Sequence, residues 1–152
     1  MKPEALLRQQ VAEYLQLQYP TTIYRFDLAA DIKLSIGQAK RHKHLHPHRG
    51  YPDLFIAMPS RLYGQVWAGL FIELKADGKS PYKKDGTLRK DKHIDEQNQM
   101  IKRLNAAGYW ATFGVGFDEC KKIIDEYMRP VLKYMEDEKI EKQDTETLDK
   151  IF

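Results

Sequence analysis

Cysteine is nearly absent from this chain: Cys120 stands alone among 152 residues, which excludes an internal disulfide framework and agrees with a reducing compartment. Long apolar runs are missing too, since no uncharged stretch reaches the ~20 residues that a membrane-spanning helix needs. The opening Met1-Lys2-Pro3-Glu4 has neither the apolar segment nor the small-residue cleavage site of a secretory signal. The expectation is a cytoplasmic, intracellular protein with no membrane partner. No internal repeat is visible, so a solenoid is excluded. What is present, 42% hydrophobic and 31% charged residues in 17.9 kDa, is the composition of a globular domain able to bury its own core.

The net charge of +3 is unevenly spread. Residues 131–152 hold four lysines against seven acids, a balance of −3, which leaves +6 on the first 130 residues. A basic body suits a polyanionic partner, and the acidic segment suits none. The expected division is therefore a domain over 1–130 and an acidic helical extension or tail over 131–152.

Apolar residues Leu7, Val11, Tyr14 and Leu15 recur at helical spacing and predict a first helix over Glu4–Leu17, ended by Tyr19-Pro20. Thr22–Phe26 alternates β-branched and aromatic residues and predicts a strand. Residues 37–50 carry four histidines, four basic side chains and no acid, without buried periodicity, and read as a long exposed basic loop. Two short apolar strands follow, Asp53–Met58 and Gly69–Lys75, joined by a connection with Gly64 near its middle, which predicts an antiparallel pair. A second basic loop, 76–92, leads to a helix over His93–Ala107 capped by Gly108. A strand over Tyr109–Val115 and a helix over Phe117–Met128 complete the series, with Pro130 expected to break or kink that last helix. This order predicts an α/β domain: a small mixed sheet flanked by helices.

On the second apolar strand, alternation sends Leu70, Ile72 and Leu74 to one face and Phe71, Glu73 and Lys75 to the other. If the pair folds about residues 62–64, Asp53 lies opposite Glu73, because both are equidistant from position 63. Asp53, Glu73 and Lys75 then converge. Two carboxylates on rigid strands make an oxygen site suited to Mg²⁺ or Mn²⁺, and the ammonium beside them can position water or stabilise phosphorane charge.

The string Gly50-Tyr51-Pro52-Asp53 followed by Ile72-Glu73-Leu74-Lys75 resembles the PD-(D/E)XK nuclease motif. Gln97, Leu104, Gly108 and Tyr109 further resemble the helix and strand that follow it in VRR-NUC (virus-type replication-repair nuclease) domains, and the likeness spans Glu4 to Tyr127. The resemblance implies a restriction-endonuclease-like core. It also implies that Asp53, Glu73 and the Leu74 backbone carbonyl hold the metal, that Lys75 is the catalytic lysine and that Gln97 belongs to the active-site helix. A glutamate of the first helix completes the family's site; Glu4 and Glu13 project about half a turn apart, and Glu4 is preferred because it shares the face of Leu7, Val11 and Tyr14. The alternating His42, His44, His46 and His48 match no structural zinc spacing. Lys40, Arg41, Lys43 and Arg49 before Asp53, and Lys79, Lys83 and Lys84 after Lys75, bracket the site as candidate DNA contacts. The expected function is a Mg²⁺- or Mn²⁺-dependent DNA endonuclease in replication, recombination or repair, selective for branched or four-way junction DNA. A non-catalytic DNA-binding repair module and an RNA-cleaving nuclease are the rival readings. Symmetric incision calls for a homodimer, with the apolar 62–71 connection and Val131, Leu132, Tyr134, Met135 and Ile140 as candidate surfaces.

Overall fold

The computed structural model describes the backbone of residues 2–27 and 32–151, and the side chains of these except 132, 134, 135 and 140–151. Its elements run α1 (Pro3–Gln18), β1 (Tyr24–Phe26), α2 (Ile36–Leu45), β2 (Leu54–Ile56), β3 (Ser60–Leu62), β4 (Gln65–Trp67), β5 (Leu70–Lys75), α3 (Lys92–Ala106), β6 (Trp110–Val115) and α4 (Gly116–Ile151). Four strands form a mixed sheet in the order β1-β2-β5-β6, antiparallel except for the parallel pair β5 and β6. Parallel pairing there follows from α3, which carries the chain back to the starting edge of β5.

Strand β5 is buried on both faces, and the two faces belong to two cores. Leu70, Ile72 and Leu74 join Leu7, Val11 and Leu15 of α1 and Cys120, Ile124, Tyr127 and Met128 of α4. Phe71 packs on the other side with Ile101 of α3 and with Ala111 and Phe113 of β6. The α/β expectation with a small mixed sheet between helices holds. Helix α1 is further tied to α4 by Asp125, which accepts from Tyr14, Tyr19 and Lys121.

Several local expectations are corrected. Residues 36–45 form helix α2, not a loop. Ser35 and Gln38 make a reciprocal capping box, the Ser35 hydroxyl accepting from the Gln38 N–H at 3.3 Å and the Gln38 side chain accepting from the Ser35 N–H at 2.9 Å. The box satisfies orphan amides that every helix start exposes. No residue of α2 is buried, so a search for buried periodicity cannot see it. The connection between β2 and β5 is itself a hairpin, β3 and β4, turning through Tyr63 (φ 53°) and Gly64 (φ 74°). Two successive positive φ values match the tight turn that follows strand twist. Within the proposed 62–71 surface, Leu70 and Phe71 are core, whereas Tyr63 and Val66 are exposed. Val131 is also buried in the main core, not set apart from it, and the side chains of Leu132, Tyr134, Met135 and Ile140 lie outside the described residues. Helix α4 runs on through Pro130. Among the described residues no helix is long and apolar enough to cross a membrane.

Candidate active site

Strands β2 and β5 pair Leu54 with Ile72, Phe55 with Phe71 and Ile56 with Leu70. One further step of that register sets Asp53 opposite Glu73, at the end of the sheet where both strands leave the core. Asp53 is held on two sides: its Oδ1 accepts from Arg8 Nη2 at 3.0 Å, and its Oδ2 accepts from the Leu74 backbone N–H at 3.0 Å. The N–H and C=O of one strand residue point to the same edge, so the Leu74 carbonyl also faces the β2 side. Pro52 stands opposite Leu74 in the continued register and has no N–H to give that carbonyl. The Pro-Asp pair thus removes a ladder donor and supplies a carboxylate in consecutive residues.

Glu73 and Gln97 are buried, and Ser60 is the other buried polar side chain among the described residues. Glu73 Oε1 accepts from Lys75 Nζ at 3.1 Å and from Gln97 Nε2, while Gln97 Oε1 accepts from Lys75 Nζ at 2.8 Å. An ammonium only donates and the Glu73 Oε1 accepts, so a side chain bridging them needs one group of each kind. The Gln97 amide provides both, and its orientation is settled by those partners. Gln97 Nε2 also lies 3.1 Å from His93 Nε2, one helical turn away. An amide nitrogen can only donate, so that imidazole nitrogen is the acceptor.

Burial, followed by the negative charge of Asp53, pushes the Glu73 carboxyl up to about 8 against the opposing pull of Lys75. Burial also raises Asp53, outweighing the Arg8 guanidinium and the Leu74 amide. Two carboxyls held ready but reluctant to ionise together form a site that a divalent cation would relieve. Among the described residues no three His, Cys, Asp or Glu side chains gather as a cage. The hard oxygen set of Asp53, Glu73 and the Leu74 carbonyl nevertheless suits Mg²⁺, which keeps several of its waters.

Neither a family sequence model nor a curated protein sequence matches this chain. A solved structure described as a VRR_NUC domain protein does match, with a TM-score of 0.56 and 25% identity over 86% of this chain and 91% of that one. The likeness supports a VRR-NUC-type domain. The mixed α/β fold matches that neighbour, whose name points to a nuclease-type domain.

The fold joins Glu73, Lys75 and Gln97 in one hydrogen-bonded cluster and sets Asp53 beside it, opposite Glu73 and bonded to Arg8 and the Leu74 amide. Glu4 stands at its edge: it pairs with Lys79 at 3.7 Å and lies one turn before Arg8, on the helix face that reaches Asp53. Glu13 is exposed and accepts from Gln9. Lys40, Arg41 and Lys43 are exposed on α2, Arg49 reaches Glu96 at 3.5 Å, and Lys83 and Lys84 are exposed after β5. Sequence reasoning missed Arg8 and His93, although each lies four residues from a candidate, Glu4 or Gln97, and so on the same helix face. It also missed the work of Gly50. That residue has φ +70°, and a Cβ there would sit 2.5 Å from the carbonyl carbon and oxygen of Glu96. Only glycine lets the Pro52-Asp53 segment lie against the α3 backbone next to Gln97.

Proposed function

We propose that this VRR-NUC domain is a metal-dependent endonuclease that hydrolyses DNA backbone at Asp53, Glu73 and Lys75. The observation that carries this reading is the network joining Glu73, Lys75 and Gln97 at the sheet end, with the Asp53 carboxyl held beside it by the Leu74 amide. Mg²⁺ or Mn²⁺, held by Asp53, Glu73 and the Leu74 carbonyl, would supply Lewis acidity to a phosphate oxygen and to the attacking water. Lys75 has three N–H groups, two of them engaged by Glu73 and Gln97, which leaves one to direct at the developing phosphorane charge. Gln97 holds that ammonium in place. Arg8 keeps Asp53 oriented from the opposite side, and Glu4 belongs to the same rim. The basic side chains of α2 and of the segment after β5 would meet flanking phosphates.

Branched DNA is the favoured substrate, and two copies of the domain would give the paired incisions that a junction needs. Apolar Tyr63 and Val66 on the β3–β4 hairpin offer a surface for that pairing. The test is incubation with supercoiled plasmid and with four-way, flap, linear and RNA substrates, in Mg²⁺ or EDTA, beside Lys75→Ala. Mg²⁺-dependent cutting that disappears in Lys75→Ala is expected. Binding without cutting under all conditions would sink the reading in favour of a non-catalytic module, and cutting confined to RNA would change the substrate.

A further inference from the structure

Next to the carboxylates lies a cavity of about 640 Å³ between the β1–β2 edge and α2. Its lining includes Arg25, His42, His46, Tyr51 and Phe55, and it reaches Asp53. We propose that this cavity receives one unpaired nucleotide of the substrate strand, its base stacked among Tyr51, Phe55 and the α2 histidines. The proposal rests on the nuclease reading above and narrows its substrate class.

The volume is in the range of pockets that enclose a small organic ligand and exceeds what one nucleotide fills. The chemistry of the walls fits a base. Tyr51 and Phe55 are already ordered by Phe71, edge-on at 5.4 Å and stacked at 4.3 Å respectively. His42 in the last turn of α2 and His46, the C-cap residue that follows it, are stacked on each other at 4.4 Å with 16° between their planes. Flat rings of this kind bind bases of any sequence, because every base has a π face. Exposed Arg25 supplies a cation for the attached phosphate. Lys40 and Lys43 are not part of the lining, so α2 would present rings to the base and ammonium groups to the backbone outside.

Continuity with the proposed catalytic centre supplies the remaining argument. Asp53 stands opposite Glu73, held by the Leu74 amide, and is also part of the cavity wall. A phosphate bound through a cation at Asp53 and Glu73 would therefore have its adjoining nucleotide at the mouth of the cavity. A base inside an intact duplex has both faces covered by its neighbours and cannot stack there without being drawn out, which takes a few kcal/mol. An unpaired base at a bulge, flap or frayed junction arm enters without that penalty. The cavity thus selects strands that are locally unpaired beside the cut.

The test is binding by the full chain in EDTA, which prevents cleavage, to a fully paired duplex and to the same duplex carrying one unpaired nucleotide. Tyr51→Ala and His46→Ala should each weaken the bulged DNA roughly 5- to 150-fold, the range for removing one stacking ring, with the paired duplex shifting less than about twofold. Tyr51→Phe keeps the ring and should keep the affinity. Because Tyr51 also leans on Phe71, His46→Ala at the exposed C-cap of α2 carries the test independently of folding. Equal weakening on both DNAs, or a bulge affinity untouched by His46→Ala, would overturn the assignment. The nuclease reading stands or falls separately: if Mg²⁺- and Lys75-dependent cutting persists while the affinity pattern fails, only the cavity is misassigned.

Discussion

Replacing Glu73 by glutamine is expected to stabilise the metal-free protein while destroying its capacity for a cation. The Glu73 carboxyl is raised from 4.5 to about 8, first by burial and then by Asp53. Because the folded state binds this proton more tightly than the unfolded chain, wild-type stability falls as pH rises through that window, by about 1.4 kcal/mol per pH unit. Below the window the group is protonated in both states and contributes no slope. Above it the group is ionised in both, and the decline levels off. Glutamine keeps the shape, can accept from Lys75 and Gln97 through its carbonyl, and has no proton to lose. The advantage of Glu73→Gln should therefore grow from near zero at about pH 4 to several kcal/mol at about pH 8. For a domain of this size that corresponds to a Tm higher by on the order of 10 °C. Urea titrations in EDTA across the pH range measure it, and subtracting the two proteins removes the other titrating groups. Mg²⁺ should then stabilise wild type and leave Glu73→Gln unmoved, since a cation needs the ionised carboxylate. Parallel pH profiles, or equal stabilisation of both proteins by Mg²⁺, would refute the reasoning.

Gly50→Ala should destabilise the fold by at least about 1–3 kcal/mol through its positive φ, and should reduce cleavage further because the new methyl pushes α3 and Gln97 away from Lys75. Gly37→Ala is the control: nothing lies within 4 Å of its Cβ position on α2, so stability should hold or rise by up to about 1 kcal/mol in the same urea assay. Replacing Lys40, Arg41, Lys43 and Arg49 with alanine should weaken DNA binding and flatten its salt dependence by about 0.9 for each phosphate no longer neutralised, with Mg²⁺ affinity unchanged by calorimetry. Light scattering on a sizing column should give twice 17.9 kDa, reverting to one chain mass in Tyr63→Asp; a single chain mass for wild type would remove the dimer.

Much of the architecture was legible because it rests on short-range regularities. Helical spacing of Leu7, Val11 and Leu15, and the alternation of Leu70, Ile72 and Leu74 against Phe71 and Glu73, report burial directly, and both survive in the fold. Even the pairing of Asp53 with Glu73 followed from symmetry about position 63, because the β3–β4 hairpin nested between β2 and β5 takes up nearly equal lengths of chain on its two sides. Helix α2 escaped because exposed helices carry no burial signal, although its capping box was present in Ser35 and Gln38. What the sequence by itself determined was the order of the elements other than α2, β3 and β4, and the convergence of the two carboxylates with Lys75. Only the tertiary structure decided that Gln97 bridges Glu73 and Lys75, that Arg8 grips Asp53, that Gly50 lies on the α3 backbone, and that a ring-lined cavity opens beside them. The hydrogen bonds among these join residues 22 to 45 positions apart, on separate elements, and such distances are set by how whole helices pack on the sheet, which no local pattern encodes.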